Sequence, residues 1–223
     1  MDNSIFENIE KEADEYNKKL LELYETDESI KKLYRGIRIW YSPIIERPQI
    51  MFLGINPGAG YSRNTGKPEN DLKPMKKMIY ADPDHDFCLK WEWDYVFGEQ
   101  GLNRRDLLET SVKSNFCYFI TESSKDLIAL LKQFEIKLGI SPYKLCGNWT
   151  NKVIKTIKPK ILICEGKDAF NLLKNWSFRN ELRIDQEIQG GYLDDIIVLY
   201  FKRTYSNLKD KEKIIQTLSN YIK

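Results

Sequence analysis

Apolar positions follow two rhythms along this chain. Between residues 4 and 35, Ile5, Ile9, Leu20, Leu21, Leu23, Tyr24, Ile30 and Leu33 recur roughly at helical spacing among Glu and Lys. Thr26-Asp27-Glu28 offers a break into two helices, and residues 1–36 are expected to form a helical extension packed on the outside of the core. Continuous apolar runs then take over. Gln49–Ile55, after Pro48, suits a central strand covered on both faces, and Ser114–Ile120, Lys160–Cys164 and Asp195–Phe201 are read the same way. The first run ends in the turn-rich loop Gly54-Ile55-Asn56-Pro57-Gly58-Ala59-Gly60. Glu165 to Leu173 reads as a loop and a helix, and Lys209–Ile222 as a closing helix. Residues 61–110 form an irregular insert rich in aromatics, among them Tyr61, Tyr80, Phe87, Trp91, Trp93, Tyr95 and Phe97, most of which are expected in a satellite core.

Strands separated by helices predict one α/β domain over residues 1–223. It is three-layered, α/β/α, around a central four-stranded, mostly parallel sheet. In such sheets functional groups gather at the carboxyl ends of the strands. Here those ends are Asn56 to Gly60, Asn115 onward, Glu165-Gly166, and Lys202 to Asn207.

Composition narrows the picture. With 223 residues, 42% hydrophobic and 30% charged, the chain suits one globular domain. No signal peptide and no apolar run near the ~20 residues of a membrane helix is seen, so a cytoplasmic protein without a membrane partner is expected. The four cysteines, Cys88, Cys117, Cys146 and Cys164, have long gaps and no C-x-x-C pair, so no metal site is expected. Cys117 and Cys164 read as reduced, buried small hydrophobes. The single histidine, His85, excludes any mechanism needing two. The net charge of +2 does not announce a nucleic-acid binder, but a local basic face matters more than the sum. Lys202, Arg203, Lys209, Lys211 and Lys213 are one such face, or equally a solvated helix start.

Four segments carry a resemblance. They are Gly54-Ile55-Asn56-Pro57-Gly58 after a buried strand, Asn64-Thr65-Gly66-Lys67-Pro68, Ser114-Asn115-Phe116-Cys117, and Pro159 to Ala169 with its Gly166-Lys167-Asp168-Ala169 end. In that order, over residues 37–215, they resemble the uracil-DNA glycosylase superfamily, closest to its single-strand-selective and mismatch-specific branches with their G-x-N-P-G signature. The resemblance implies a monofunctional DNA glycosylase acting as a monomer, without cofactor or metal, with DNA as its partner. Two positions depart from the family pattern. Glu69 stands where a base-stacking phenylalanine follows the T-G-x-P, and Lys202-Arg203-Thr204-Tyr205-Ser206-Asn207 contains no histidine where the family has H-P-S-P.

Hydrolysing an N-glycosidic bond requires a flipped base, a water at the anomeric carbon and a home for the charge on the departing base. Asn56 is the candidate for holding the water. An amide is no strong base, but it can orient a nucleophile toward an oxocarbenium-like sugar. Asn115, with one acceptor and two donors, is the candidate base reader and a second catalytic group. Gly54, Ile55, Gly58, Tyr61 and Phe116 complete the expected base site, the glycines by letting the backbone approach closely. Lys202, Arg203, Thr204, Tyr205 and Ser206 are the expected DNA contacts, with the two cations also able to meet the leaving base. The departures leave two other functions open: a glycosylase for modified bases in foreign (phage) DNA, and a catalytically silent nucleic-acid-binding or interaction protein on the same fold. A nucleotide-binding α/β protein fits poorly, for lack of G-x-G-x-x-G or G-x-x-x-x-G-K-[ST].

Overall fold

The computed structural model describes residues 4–58, 66–185, 187–204 and 207–222. The predicted break at Thr26-Asp27-Glu28 is real: α1 spans Ser4–Thr26 and α2 spans Glu28–Leu33. Asp27 makes the break, because its carboxylate accepts from the Ser29 N–H at 2.9 Å and starts a new helix. The chain continues through β1 (Gly36–Arg38), β2 (Ile50–Gly54), β3 (Glu69–Asp71), α3 (Cys88–Phe97), α4 (Arg105–Glu109) and β4 (Val112–Asn115). Next come α5 (Ser124–Leu138), α6 (Pro142–Ile157), β5 (Ile161–Cys164) and α7 (Lys167–Leu172), which runs into a π turn at Leu173–Ser177. β6 (Arg183–Asp185), β7 (Gly190–Leu193), β8 (Ile196–Tyr200), the short β9 (Arg203–Thr204) and β10 (Asn207–Leu208), and α8 (Lys211–Ser219) complete it.

The protein is mixed α/β. Its main sheet has the order β4-β2-β5-β8-β7-β6. β4, β2, β5 and β8 are parallel neighbours, as the four apolar runs predicted. The sheet is wider than expected, because β7 and β6 add two antiparallel strands beyond β8. Their short segments, with Gly190 and Gly191 side by side, carry no alternating apolar pattern. Close backbone packing against β8 and β6 explains the glycines, since a Cβ on either would strike Val198 O or Arg183 O. The run expected as one strand over Ser114–Ile120 is also corrected. The strand is Val112–Asn115, after which the chain bends at Phe116 and changes partner. Phe116 and Cys117 N–H bond Gly54 O and Ile55 O, whereas Arg38 N–H bonds Tyr118 O and Ile120 N–H bonds Gly36 O.

The period of two in the strands builds a core on each face of the sheet. Met51, Leu53, Leu162, Cys164 and Val198 face one core, with Ile9 and Leu20 of α1, Leu130 and Phe134 of α5, and Trp149 and Ile154 of α6. The N-terminal helices therefore contribute to that core rather than only resting on it. Ile50, Phe52, Ile161, Ile163 and Leu199 face the other, with Trp93 and Phe97 of α3, Leu108 of α4 and Leu218 of α8. The aromatic insert therefore covers the second face, with Phe52 edge-on to Tyr80 at 5.3 Å and to Trp93 at 4.9 Å. All four cysteines are free; Cys117, Cys146 and Cys164 are buried and Cys88 is exposed. No helix among the described residues is long and apolar enough to cross a membrane.

Candidate active site at the strand ends

The same period of two decides what stands at the carboxyl edge. Lys113 is the register partner of Phe52, and Asn115 of Gly54. Lys113, Asn115 and Gly54 therefore lie on the face covered by the insert. Ile163 and Leu199 share that face, so Glu165, Phe201 and Arg203 continue it beyond β5 and β8.

Two asparagines stand near the carboxyl ends of neighbouring strands, Asn115 as the last residue of β4 and Asn56 two residues past β2. The Asn56 amide nitrogen donates to Pro57 O at 2.9 Å and Thr121 Oγ1 at 3.0 Å, with Phe119 O at 3.5 Å. Two carbonyls among these acceptors fix the carboxamide, since Oδ1 cannot face them. Oδ1 is turned away and carries no hydrogen bond among the described residues. Asn115 is 4% exposed, and its carboxamide makes none either among the described residues. Its Oδ1 lies over Gly54, where a Cβ would collide with it and stand 3.1 Å from Glu165 Oε2. That close approach is why a glycine opens the G-x-N-P-G segment. Gly54→Ala is expected to cost about 1–3 kcal/mol in urea unfolding and to displace Asn115; unchanged stability with full activity would show that the contact is slack.

Beside the asparagines lies a charged cluster that the sequence reading did not assemble. Glu165 is 3% exposed. Lys113 Nζ donates to its Oε2 at 2.6 Å, and the Tyr80 hydroxyl donates to Oε1. The Lys113 ammonium also sits 5.0 Å from the Tyr80 ring centre and 5.7 Å from that of Tyr41. Burial pushes the Glu165 carboxyl up, but Lys113 and Arg203 more than offset this and hold it below the usual carboxylate range. Burial pushes the Lys113 ammonium down, and Glu165 opposes this only in part. Tyr80 is pushed up by burial and by the Glu165 charge, so it remains a hydroxyl donor. One clue was present in the sequence: a lysine inside a fully buried strand must have a buried anionic partner. The partner's identity needed the fold.

Comparison with protein-family models and with curated proteins finds no match for this chain.

The other predicted positions are distributed as follows. Ile55 is half-buried, and Gly58 is exposed and bridges Thr121. Phe116 is fully buried in the first core, so its ring offers no open face to a base. Lys202 is exposed and lines a shallow cavity of about 150 Å³ with Lys209, Lys213, Glu187 and Asp210. Arg203 and Thr204 form β9, paired with β10. Tyr61, Tyr205 and Ser206 lie outside the described residues. Glu69, at the departure from the family's phenylalanine, is in β3, where Arg38 pairs with it and with Asp71. His85 Nδ1 lies 3.3 Å from Asp82 Oδ2 and makes no contact with the strand-end cluster among the described residues.

Proposed function

We propose that the protein is a monofunctional DNA glycosylase that hydrolyses the N-glycosidic bond of uracil or a related modified base. The observation that carries this is the pair of asparagines near the carboxyl ends of β2 and β4. One is held through its amide nitrogen, and its oxygen carries no hydrogen bond among the described residues. The other is buried without a partner, beside a glycine that makes room for it. Asn56 Oδ1 accepts from a water and aims it at the anomeric carbon. Asn115 offers a donor and an acceptor to one edge of an extruded pyrimidine and strengthens its bonds as the base becomes anionic. The chemistry needs no covalent step. Lys113, near the end of β4, has its Nζ bonded to Glu165, and the residue expected to face the sugar is Asn56 rather than a lysine.

The occupation of Glu69 by Arg38 favours a modified base as the alternative substrate, because a carboxylate–guanidinium pair stands where the family stacks an aromatic. Oligonucleotides carrying uracil, hypoxanthine or modified pyrimidines, single-stranded and duplex, test both. Alkali-labile abasic sites without strand cleavage, and no borohydride-trapped adduct, are expected. A trapped adduct would replace this mechanism with a lyase, and intact bases throughout the panel would overturn the function.

DNA affinity should also fall with salt. If Lys202 and its neighbours neutralise phosphates, log K should drop with log salt with a slope near −0.9 per contact on duplex. Affinity that is flat between low and physiological salt would assign these lysines no phosphate.

A further inference from the structure

Gly54 is the middle member of a row that crosses three parallel strands. Asn115 is its register partner on β4. On the other side the Glu165 N–H bonds Leu53 O, one step beyond the Leu53–Cys164 pair, which sets Glu165 beside Gly54 just past β5. The row beneath, on the same face, is Lys113, Phe52 and Ile163. Asn115 and Glu165 therefore rise from backbones about 10 Å apart, two strand spacings, with only a glycine between them. Both lean inward. Asn115 Oδ1 and Glu165 Oε2 border the one space that a methyl group on Gly54 would fill, the carboxylate oxygen 3.1 Å from its centre. Burial pushes the Glu165 carboxyl up, but Lys113 and Arg203 hold it below the usual carboxylate range, so it is an ionised acceptor. Lys113 takes one lone pair of Oε2 and Tyr80 one of Oε1, which leaves each oxygen able to accept again. Two acceptors, one of them charged, thus face the same point of the strand-end edge.

We propose that Glu165 is a specificity-determining residue of the base site, and that it selects a pyrimidine with an exocyclic amino group at C4, a cytosine-type base, over uracil. The proposal rests on the glycosylase function above and names its substrate class. An amino group carries two hydrogens on one nitrogen, so it donates to Asn115 Oδ1 and Glu165 Oε2 together. The Asn115 amide nitrogen then donates to ring N3, which is an acceptor in a cytosine-type base and carries a hydrogen in uracil. Uracil also has a carbonyl oxygen at C4. That oxygen would be a third acceptor against a buried carboxylate with no hydrogen between them, an arrangement that a desolvated site rejects. Uracil is the better leaving group of the two, so a preference for the amino base can come only from the protein.

The test is single-turnover excision by the full chain from single-stranded oligonucleotides in matched pairs that differ at C4, cytosine with uracil and 5-hydroxymethylcytosine with 5-hydroxymethyluracil. In any pair that is cleaved, the amino member is expected to react faster by about 10²-fold or more, the scale on which a site built for a donor rejects a base that lacks it. N4,N4-dimethylcytosine, which has no hydrogen to donate, should stay intact. Lys113→Met with Glu165→Leu removes the carboxylate without stranding a charge. This double variant, shown to be folded by its melting curve, should lose the preference. Glu165→Gln, assayed below its melting temperature, turns one acceptor into a possible donor and should move the preference toward the uracil member. Equal or faster excision of the uracil member by wild type would overturn the proposal and leave the glycosylase function standing, whereas intact bases in every pair would overturn both. An amino preference that survives unchanged in both variants would remove Glu165 from base selection and overturn the proposal.

Discussion

Asn56→Ala is expected to lower excision turnover by about 10²-fold or more, equivalent to raising the barrier by roughly 2.7 kcal/mol. The reason lies in how the side chain is held. Its amide nitrogen is committed to Pro57 O and Thr121 Oγ1, and faces Phe119 O, so the carboxamide cannot rotate to suit another role. Its oxygen is then a fixed acceptor at the sheet's edge. A group that orients water acts in the transition state more than in binding, so DNA affinity should stay nearly unchanged. Loss of the loop hydrogen bonds adds a stability cost of about 1 kcal/mol, which a melting curve measures separately. Asn56→Asp is not a conservative control. Its carboxylate would set an oxygen against two carbonyl oxygens and lose the donors that tie the β2 loop to residues 119–121. Thr121→Val removes one partner and should give a smaller loss than Asn56→Ala. Full turnover in Asn56→Ala would remove this residue from catalysis.

Glu165→Gln is expected to destabilise the fold by about 3–5 kcal/mol. Glu165 and Lys113 are 3% and 7% exposed, so solvent does little to screen what is left behind. The substitution strands a buried ammonium that has Tyr80 and Tyr41 rings for neighbours and Arg203 as a second nearby cation. At roughly 2–4 °C per kcal/mol for a chain of this size, the melting temperature should fall by roughly 6–20 °C. Replacing both partners, as in Lys113→Met with Glu165→Leu, should recover much of the loss, because neither desolvated charge remains. A Glu165→Gln melting curve within about 1 °C of wild type would show that the pair contributes little. The pH dependence carries a definite sign. The Glu165 carboxyl is held below its unfolded value, so its contribution is fully present above an unfolded pKa near ~4.3 and is lost as pH falls through the lower folded value. Wild type should therefore lose stability more steeply in acid than the double variant does.

Much of this arrangement can be read from residue order, for definite reasons. A strand covered on both faces must be apolar throughout, so Gln49–Ile55, Lys160–Cys164 and Asp195–Phe201 announced β2, β5 and β8 without any partner being known. Asp27 and the Gly-Ile-Asn-Pro-Gly turn are local devices, and local devices are visible in local sequence. The position of Asn56 just past β2 followed from the same runs, whereas the run over Ser114–Ile120 put Asn115 near a strand's start and the structure ends β4 at it. Strands β6 and β7 did not follow from such runs, because a strand of three residues, or one that begins with two glycines, has no pattern of its own and is defined by the neighbours it pairs with. The exit of the chain at Phe116 was hidden for the opposite reason. An apolar run stays apolar whether it follows one neighbour or changes to another.

The site divides along the same line. Sequence alone determined that an asparagine would follow the first sheet strand, and that cations would follow the last. Only the tertiary structure decided that Lys113, Glu165 and Tyr80, drawn from β4, the end of β5 and the insert, would close into one buried cluster. It also decided that Phe116 would belong to the core, and that Lys202 and Arg203 would part company. The physical reason is range. Propensity, capping and alternation act over a few residues, whereas a buried charge is stabilised only by groups brought to it from 52 and 85 positions away in the chain.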